Sequence, residues 1–285
     1  MLSKMTISPA EALRWQLEAG VDETVAAIPV NRFASREDAP PDVTGENNGE
    51  LPSPPPGDPP CDGPGDMPPP LPLPALSSAL APIDDAVGRA VALAAGAATI
   101  EDLRAALAAF DGCPLKRTAT NLVFTDGNPQ GAVLFVGEAP GAEEDRQGLP
   151  FVGPSGRLLD RMLASIGLDR TRVCISNTVF WRPPGNRTPT TVEMAVCMPF
   201  LERLIELMDP RVLVTLGGPA AKSVLGESAG VSKLRGRWFA YASPRLARPI
   251  PATAMFHPAY LLRTPAQKRD AWRDLLMLRR KLDES

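Results

Sequence analysis

The feature of this sequence that most restricts its fold is a regular alternation of short apolar runs with amphipathic stretches. Runs of five or six residues are typical of buried strands and lie at 132–136, 172–176, 211–216, 237–241 and 252–256. Helical patterns precede and separate them, at 84–95, 99–109, 155–166, 190–208, 218–225 and 265–282. Strands that alternate with helices form a parallel sheet with helices on both faces. We predict an α/β fold over 84–285, a three-layer α/β/α domain with a mostly parallel sheet of four to five strands.

The first 83 residues differ in composition from this domain. Residues 39–75 contain 14 prolines and almost no branched apolar residues, so they cannot build a core. We interpret 39–83 as a disordered, Pro-rich linker. Within the preceding segment, 1–38, residues 8–27 have the serine cap, first-turn proline and apolar spacing of one short amphipathic helix. The leader either acts as a spacer or binds another protein.

Charge is divided unevenly between these two parts. Residues 1–83 contain 4 Lys/Arg and 12 Asp/Glu, a net charge of −8, whereas 84–285 contain 26 and 21, a net charge of +5. A positive domain behind an acidic leader favours an anionic partner. No run approaches the ~20 apolar residues that span a bilayer, and the N-terminus lacks a signal-peptide pattern. We therefore expect a cytoplasmic protein that does not bind membranes.

A polar loop punctuated by glycine and proline follows the first apolar run. Residues 137–153 contain four glycines, two prolines and the acidic side chains of Glu138, Glu143, Glu144 and Asp145. Ligands bind at the carboxyl ends of strands in open α/β sheets. Carboxylates argue against a phosphate ligand, whereas the aromatic ring of Phe151 favours a flat one. The loop predicts a pocket for a flat, neutral, hydrogen-bonding ligand.

Two further polar residues follow other predicted strands. Asn177 comes after 172–176, and His257, the only histidine of the chain, comes directly after 252–256. An amide offers both a donor and an acceptor and can bind the edge of a base. Each residue also has a purely structural interpretation, since asparagine is common in turns and a single histidine in a sequence usually has no functional role. Their shared position at strand ends favours one common site with Glu138.

Two segments next to these residues favour contact with a polyanion. Residues 182–187 form a rigid basic loop suited to phosphates. The segment 260–262, Tyr-Leu-Leu, is too apolar for an ordinary exposed loop, so it either caps the core or inserts into a partner.

The long loop and the histidine segment together resemble a known family. Residues 137–153 look like the first signature of the family 4 uracil-DNA glycosylases, the iron–sulfur branch of their superfamily, and 257–263 are similar to the second. Asn177, the loop 182–187 and the ending around Trp272 follow in family order. The resemblance extends over about residues 110–282 and implies a repair enzyme that flips uracil out of DNA and hydrolyses its N-glycosidic bond.

The resemblance also implies roles for individual residues. His257 would donate to the uracil O2, and Glu138, with the backbone around Ala139, would line the water site. Ala139 stands where the classical enzymes carry a water-orienting aspartate, so slower chemistry is expected. Phe151 would stack on the base, Asn177 would bind its pairing edge, and Glu144 would exclude the thymine methyl group. The implied DNA contacts are Arg182, Arg187 and the minor-groove segment Tyr260, Leu261, Leu262 and Arg263.

The sequence departs from the family at its cofactor. Family 4 enzymes usually hold a 4Fe-4S cluster through four cysteines; here Cys113 and Cys197 match the first and fourth positions, while Lys116 and Trp181 occupy the others. A cluster normally needs four thiolates, so we expect no cofactor. We expect Trp181 to fill the vacated volume and Lys116 to keep a positive charge near the DNA.

Two other functions are less favoured by the residues. A protein that binds or traps uracil-containing DNA with little turnover would resemble the covalent relatives, which carry a glutamine at the position of Ala139 and an inserted basic loop; this chain has neither. A nucleotide-binding Rossmann enzyme would need the Gly-x-Gly-x-x-Gly spacing, which is missing. We expect a monomer, associated with the nucleoid, that acts on single- or double-stranded uracil-containing DNA.

Overall fold

The computed structural model describes residues 83–284, and a six-stranded sheet lies at its centre. The strand order is β1-β3-β2-β4-β6-β5. The strands are β1 Thr125–Gly127, β2 Val133–Gly137, β3 Val173–Asn177, β4 Val212–Leu216, β5 Phe239–Tyr241 and β6 Ile250–Met255. The four central strands are parallel, and β1 and β5 pair antiparallel at the two edges.

Helices precede and connect these strands. They are α1 Ile83–Gly96, α2 Ile100–Ala109, α3 Ala142–Gln147, α4 Pro154–Ala164, α5 Thr191–Met208, α6 Gly218–Leu225, α7 Val231–Leu234, α8 Pro258–Arg263 and α9 Lys268–Asp283. Short 3-10 turns lie at Pro114–Arg117, Pro184–Asn186 and Pro265–Gln267. Of the helices in this described part, none combines the length and the apolar character that crossing a membrane requires.

The alternation of side chains along β2 explains the three layers. Leu134 and Val136 point into an apolar core with α1, α2 and α5, whereas Val133 and Phe135 point into a second core with α4, α8 and α9. Successive side chains of a strand face opposite sides of the sheet, so a run buried on both faces must be apolar throughout. The predicted three-layer α/β/α architecture is confirmed.

The sheet has one strand more than the sequence predicted. β1 is a Thr-Asp-Gly segment that pairs with β3 at the sheet edge, with Thr125 opposite Ser176. Its three residues carry no apolar run; Thr125 and Asp126 are half-buried and Gly127 is exposed. The missed strand is a polar edge strand, and the apolar runs that indicate buried strands cannot reveal it.

The predicted helices in the described range are present; the helix at 218–225 has the predicted ends, and the others have shifted ends. Thr99 caps α2 as its spacing to Asp102 suggested: the Thr99 hydroxyl accepts from the Asp102 N–H at 3.0 Å, and the Asp102 carboxylate accepts from the Thr99 N–H at 3.0 Å. The predicted helix at 265–282 begins instead with a 3-10 turn before α9. The predicted helix at 8–27, and the predicted linker up to residue 82, lie outside the described residues.

Candidate active site

The loops that follow the parallel strands enclose a cavity of about 700 Å³. Its walls come from all four central strands, because their carboxyl ends meet at one edge of the sheet. The predicted site residues that line it are Glu138, Ala139, Glu144, Phe151, Asn177, Arg187, His257, Tyr260 and Arg263. The tertiary structure thus brings together residues that are up to 125 positions apart in the sequence.

Asn177 lies at the bottom of this cavity with an unused acceptor. It ends β3, directly opposite Gly137 of β2, and is 1% exposed. Within residues 83–284, its Oδ1 is the one buried side-chain oxygen or nitrogen that has no hydrogen-bond partner. A buried unpaired acceptor is costly in free energy. Its position in a cavity wall indicates that a ligand supplies the missing donor.

Phe151 forms a buried aromatic wall beside Asn177. Its ring is 5.4 Å from the His257 ring between centroids, with an angle of 33° between the planes. A Cβ at Gly137 would lie 2.7 Å from the Phe151 ring, so only glycine permits this approach of the ring to β2. The φ of Phe151 is 56°, in the left-handed region that non-glycine residues rarely adopt.

His257 is held in one tautomer by the helix that follows it. It caps α8, and its Nδ1 accepts from the Ala259 N–H at 3.1 Å. Burial, aided by the positive charge of Arg263, lowers the His257 pKa to about 4. The imidazole is therefore neutral near pH 7, and because Nδ1 is an acceptor, its proton lies on Nε2.

Gly217 lets the loop after β4 pass close to this histidine. Its φ is +95°, and a Cβ there would lie 3.2 Å from the His257 Cβ. The Gly217 N–H donates to the Met255 carbonyl at 2.8 Å, which joins the ends of β4 and β6. Gly217 was not identified from the sequence, where one glycine after an apolar run is a weak signal.

Glu138 is half-buried at the end of β2. Its carbonyl accepts from the Thr178 hydroxyl at 2.7 Å and from the Val179 N–H at 3.2 Å, so the ends of β2 and β3 are joined. Burial raises the pKa of its carboxyl above the ordinary value. Ala139 follows in the same wall and offers only its backbone and a methyl group.

Glu144 lines the cavity, but its carboxylate is occupied by the loop that carries it. One oxygen accepts from the N–H groups of Val152 and Gly153 at 3.1 and 2.9 Å, and the other accepts from the Gly141 N–H at 3.1 Å. These bonds close the loop on itself. Glu144 stands three residues after the N-cap Gly141, the spacing of the glutamate half of a capping box, and this is the sequence signal for its structural role.

The predicted basic loop lies at the mouth of the cavity. Arg187 donates to both carboxylate oxygens of Glu193, at 2.8 and 2.6 Å, and its side chain stays 43% exposed. The Arg182 Nε donates to the Asn186 side chain at 2.7 Å. Of the two arginines, Arg187 lines the cavity, whereas Arg182 lies outside its lining.

The segment after His257 differs from its predicted use at one position. Leu261 is 1% exposed and packs into the core with α4 and α9, so it is not available to DNA. For Leu261 the structure favours the other use that the sequence left open, a cap on the core, because α8 turns successive side chains by about 100° and directs Leu261 inward. Leu262 is 40% exposed, and the Tyr260 ring packs on Phe256 at 5.1 Å.

We call Cys113, Lys116, Trp181 and Cys197 the cysteine region, and it contains two thiols. The Cys113 and Cys197 sulfurs are 3.9 Å apart and buried in the same core as Trp181. The Lys116 ammonium donates to the carbonyls of Ala108 and Phe110, at 2.7 and 3.1 Å, and so caps the C-terminus of α2.

These residues do not fit a four-iron cluster, which needs four thiolates. Burial raises the pKa of the Cys197 thiol well above its ordinary value. Among the residues that the structure describes, no three or more His, Cys, Asp or Glu side chains are grouped to hold a metal ion. Cys61 lies outside that range.

The chain is similar in sequence to one protein family and to several named proteins. Residues 124–276 match the family model described as the uracil DNA glycosylase superfamily. The chain is similar to the type-4 uracil-DNA glycosylase of Archaeoglobus fulgidus, 41% identical over 162 residues, which are 55% of this chain and 80% of that protein. The protein of the same name from Thermotoga maritima is 43% identical over 152 residues, covering 53% and 77%. That of Sulfurisphaera tokodaii is 36% identical over 186 residues, covering 64% and 84%.

Proposed function

The chain belongs to the uracil DNA glycosylase superfamily, and we propose that the cavity at the carboxyl edge of its sheet is where it excises uracil from DNA. It is a DNA repair enzyme that hydrolyses the N-glycosidic bond of the uracil nucleotide. The observation that carries the assignment of the site is the unpaired Oδ1 of Asn177 beside the Phe151 ring. A flat base that presents an N–H donor satisfies both groups at once.

Base recognition follows from these two side chains. The Asn177 Oδ1 accepts from the uracil N3–H, and its amide nitrogen donates to the O4 next to it. Phe151 stacks on the ring. Neither group can reach a base inside a duplex, so the nucleotide must rotate out of the helix before it binds.

His257 stabilises the base as it leaves. As the bond to the sugar breaks, negative charge collects on the uracil O2, and the neutral imidazole donates its Nε2 proton to that oxygen. A fixed donor in a site with little water is worth more than the same donor in solution. The low pKa keeps the imidazole neutral, because burial makes its charged form costly.

Glu138 acts on the other side of the reacting carbon. Its carboxylate lines the cavity and favours the positive charge that develops on the sugar. Glu138 and the backbone of Ala139 position the water that attacks the sugar carbon. The raised pKa brings this carboxyl closer to the range in which it can accept a proton.

DNA is held at the mouth of the cavity by three arginines. Arg182 and Arg187 contact phosphates on one side, and Arg263 does so on the other. The exposed Leu262 enters the minor groove next to the flipped nucleotide, with Tyr260 behind it. Glu144 acts indirectly, because it shapes the loop that places Phe151 and limits space near the uracil C5.

The active form is proposed to be a monomer that acts at the nucleoid and holds no iron–sulfur cluster. One chain supplies every group named above, and its substrate is DNA. Two thiols, a lysine that caps a helix and a buried tryptophan stand at the cluster positions. Binding of another protein by the acidic leader concerns residues outside the described range and stays a prediction.

The experiment that tests this function uses single- and double-stranded oligonucleotides that contain one uracil. Treatment with alkali after incubation should cleave the strand at the uracil position, and matched thymine and cytosine oligonucleotides should stay intact. A protein–DNA complex that forms without alkali-sensitive sites would instead identify a binding protein and contradict the proposal.

A further inference from the structure

We propose that Arg170 is a positioning residue for uracil excision and acts through Phe151. It lies in the turn between α4 and β3, outside the residues that line the cavity. The inference rests on the proposed function, since it concerns the wall on which uracil stacks. The sequence offered no signal for it, because an arginine before a strand is ordinary.

The Arg170 guanidinium joins the backbone of the aromatic wall to two carboxylates. Its Nη1 donates to the Pro150 carbonyl at 3.2 Å, and its Nη2 donates to the Phe151 carbonyl. The Nε donates to Asp160 at 2.8 Å, and Nη1 also donates to Asp126. The side chain is 25% exposed, so these bonds are partly shielded from water.

Phe151 needs such support because its backbone is strained. A non-glycine residue with φ near 56° persists only where its surroundings hold it in place. Gly156 leaves room for the Phe151 carbonyl, since a Cβ at that position would overlap it. The strain therefore lies at the residue whose ring must face the base.

The wall is held from two sides by opposite charges. The Glu144 carboxylate accepts from the N–H groups of Val152 and Gly153, and the Arg170 guanidinium donates to the carbonyls of Pro150 and Phe151. Both are charge-assisted bonds to backbone, which are stronger than neutral ones. Together they fix the peptide groups on either side of the strained residue.

The guanidinium geometry is what this arrangement requires. A lysine ammonium has three N–H donors at one point, which are too few to bond two carbonyls and also the carboxylates of Asp126 and Asp160. With lysine at position 170, the backbone of Phe151 can relax toward a negative φ, which turns the ring away from His257. Uracil would then bind less tightly and in poorer alignment with the Nε2 donor.

A double-mutant cycle tests whether Arg170 works through Phe151. Arg170→Lys should lower kcat/KM on a uracil oligonucleotide by about tenfold to a hundredfold, the range expected for a misplaced binding group. It should also raise the inhibition constant of free uracil by about tenfold. In a Phe151→Ala background, the same substitution should change kcat/KM by less than about twofold, because the wall is already gone.

The matched control is Arg172→Lys. Arg172 is a neighbouring exposed arginine whose Nη1 donates to the Gly167 carbonyl at 2.9 Å, away from the wall. Its variant should keep both the activity and the uracil inhibition constant. An equal loss from Arg170→Lys in both backgrounds, or an unchanged uracil inhibition constant, would overturn the inference.

A variant that keeps the arginine covers the case in which Arg170→Lys does not fold. Asp160→Asn loosens one anchor of the guanidinium and should raise the uracil inhibition constant in the same direction; an unchanged constant overturns the inference. Failure of the proposed function looks different, since the unmodified protein would then release no uracil at all.

Discussion

The active-site cavity and the cysteine region both contain positions that correspond to motifs of the family. They differ in whether their polar groups have hydrogen-bond partners within the protein. In the cavity, Asn177 keeps a buried acceptor without a partner and Phe151 keeps a strained backbone. In the cysteine region, Lys116 has three hydrogen-bond acceptors and the two thiols lie in an apolar core.

This difference distinguishes a region that serves function from a region that stabilises the fold. Unpaired polar atoms and backbone strain cost stability, so they persist where a ligand or a reaction uses them. A region whose polar groups are bonded to one another contributes to the fold and needs no ligand. By this criterion we propose that the cavity carries the chemistry, whereas the hydrogen bonds of Lys116 link the end of α2 to the segment that follows it.

The largest effect is expected from removal of the leaving-group donor. His257→Ala should lower kcat by about a hundredfold to a thousandfold, the usual cost of one missing donor to a developing oxyanion. Affinity for uracil-containing DNA should change little, because the phosphate contacts stay. Alkali cleavage of a uracil oligonucleotide under single-turnover conditions measures the rate, and a gel shift measures binding.

A matched variant separates the two contacts of this side chain. His257→Asn keeps an acceptor for the Ala259 N–H, and asparagine is a good N-cap residue, but it does not place a donor where Nε2 is. It should be as inactive as His257→Ala and more stable. Full activity in either variant would show that the cavity does not depend on the imidazole.

A smaller effect is expected in the pH dependence of stability. The His257 pKa is about 4 in the folded chain and ordinarily 6.5, so between these values the unfolded chain binds the extra proton. Stability should therefore fall as pH is lowered from 6.5 towards 4, by at most about 1.4 kcal/mol per pH unit.

Urea unfolding at several pH values measures this slope, with His257→Asn as the reference, since it lacks the titrating group. The difference in unfolding free energy between the two proteins should change only within that window. Equal slopes of unfolding free energy against pH in the two proteins would mean that the imidazole is not shielded from water. The contrast between the cavity and the cysteine region would then weaken.

In the cysteine region, the expected effect is on stability alone. Lys116→Met keeps the aliphatic stem but removes the donors to the Ala108 and Phe110 carbonyls, which should cost about 1 kcal/mol. Uracil excision should be unchanged. Arg117→Met, at an exposed neighbouring position, is the control for loss of a positive charge; a drop in kcat/KM for Lys116→Met alone would tie this region to the chemistry.

The smallest effect is expected from the cysteines themselves. The Cys113→Ala, Cys197→Ala double variant should keep kcat/KM within about twofold, because two thiolates do not hold a four-iron cluster. Cys174→Ala, a buried cysteine of β3, serves as the control. Iron near stoichiometric amounts in the unmodified protein, lost only in the double variant, would contradict a cluster-free domain.

Much of this protein was determined by its sequence alone. The buried strands were recognisable because a strand covered on both faces must be apolar at every position. Asn177 and His257 were recognisable as neighbours in one cavity because the carboxyl ends of parallel strands meet at one edge. The family signatures added the roles that we propose for Glu138 and Phe151.

Other properties were decided only by the tertiary structure. The left-handed backbone of Phe151 and its support by Arg170, the unused acceptor of Asn177 and the three acceptors of Lys116 depend on contacts between distant segments. Burial of Leu261 depends on the direction in which α8 docks. Periodicity reports which face of an element is covered, but a hydrogen bond depends on where two chain segments meet, and that is set by packing of the whole domain.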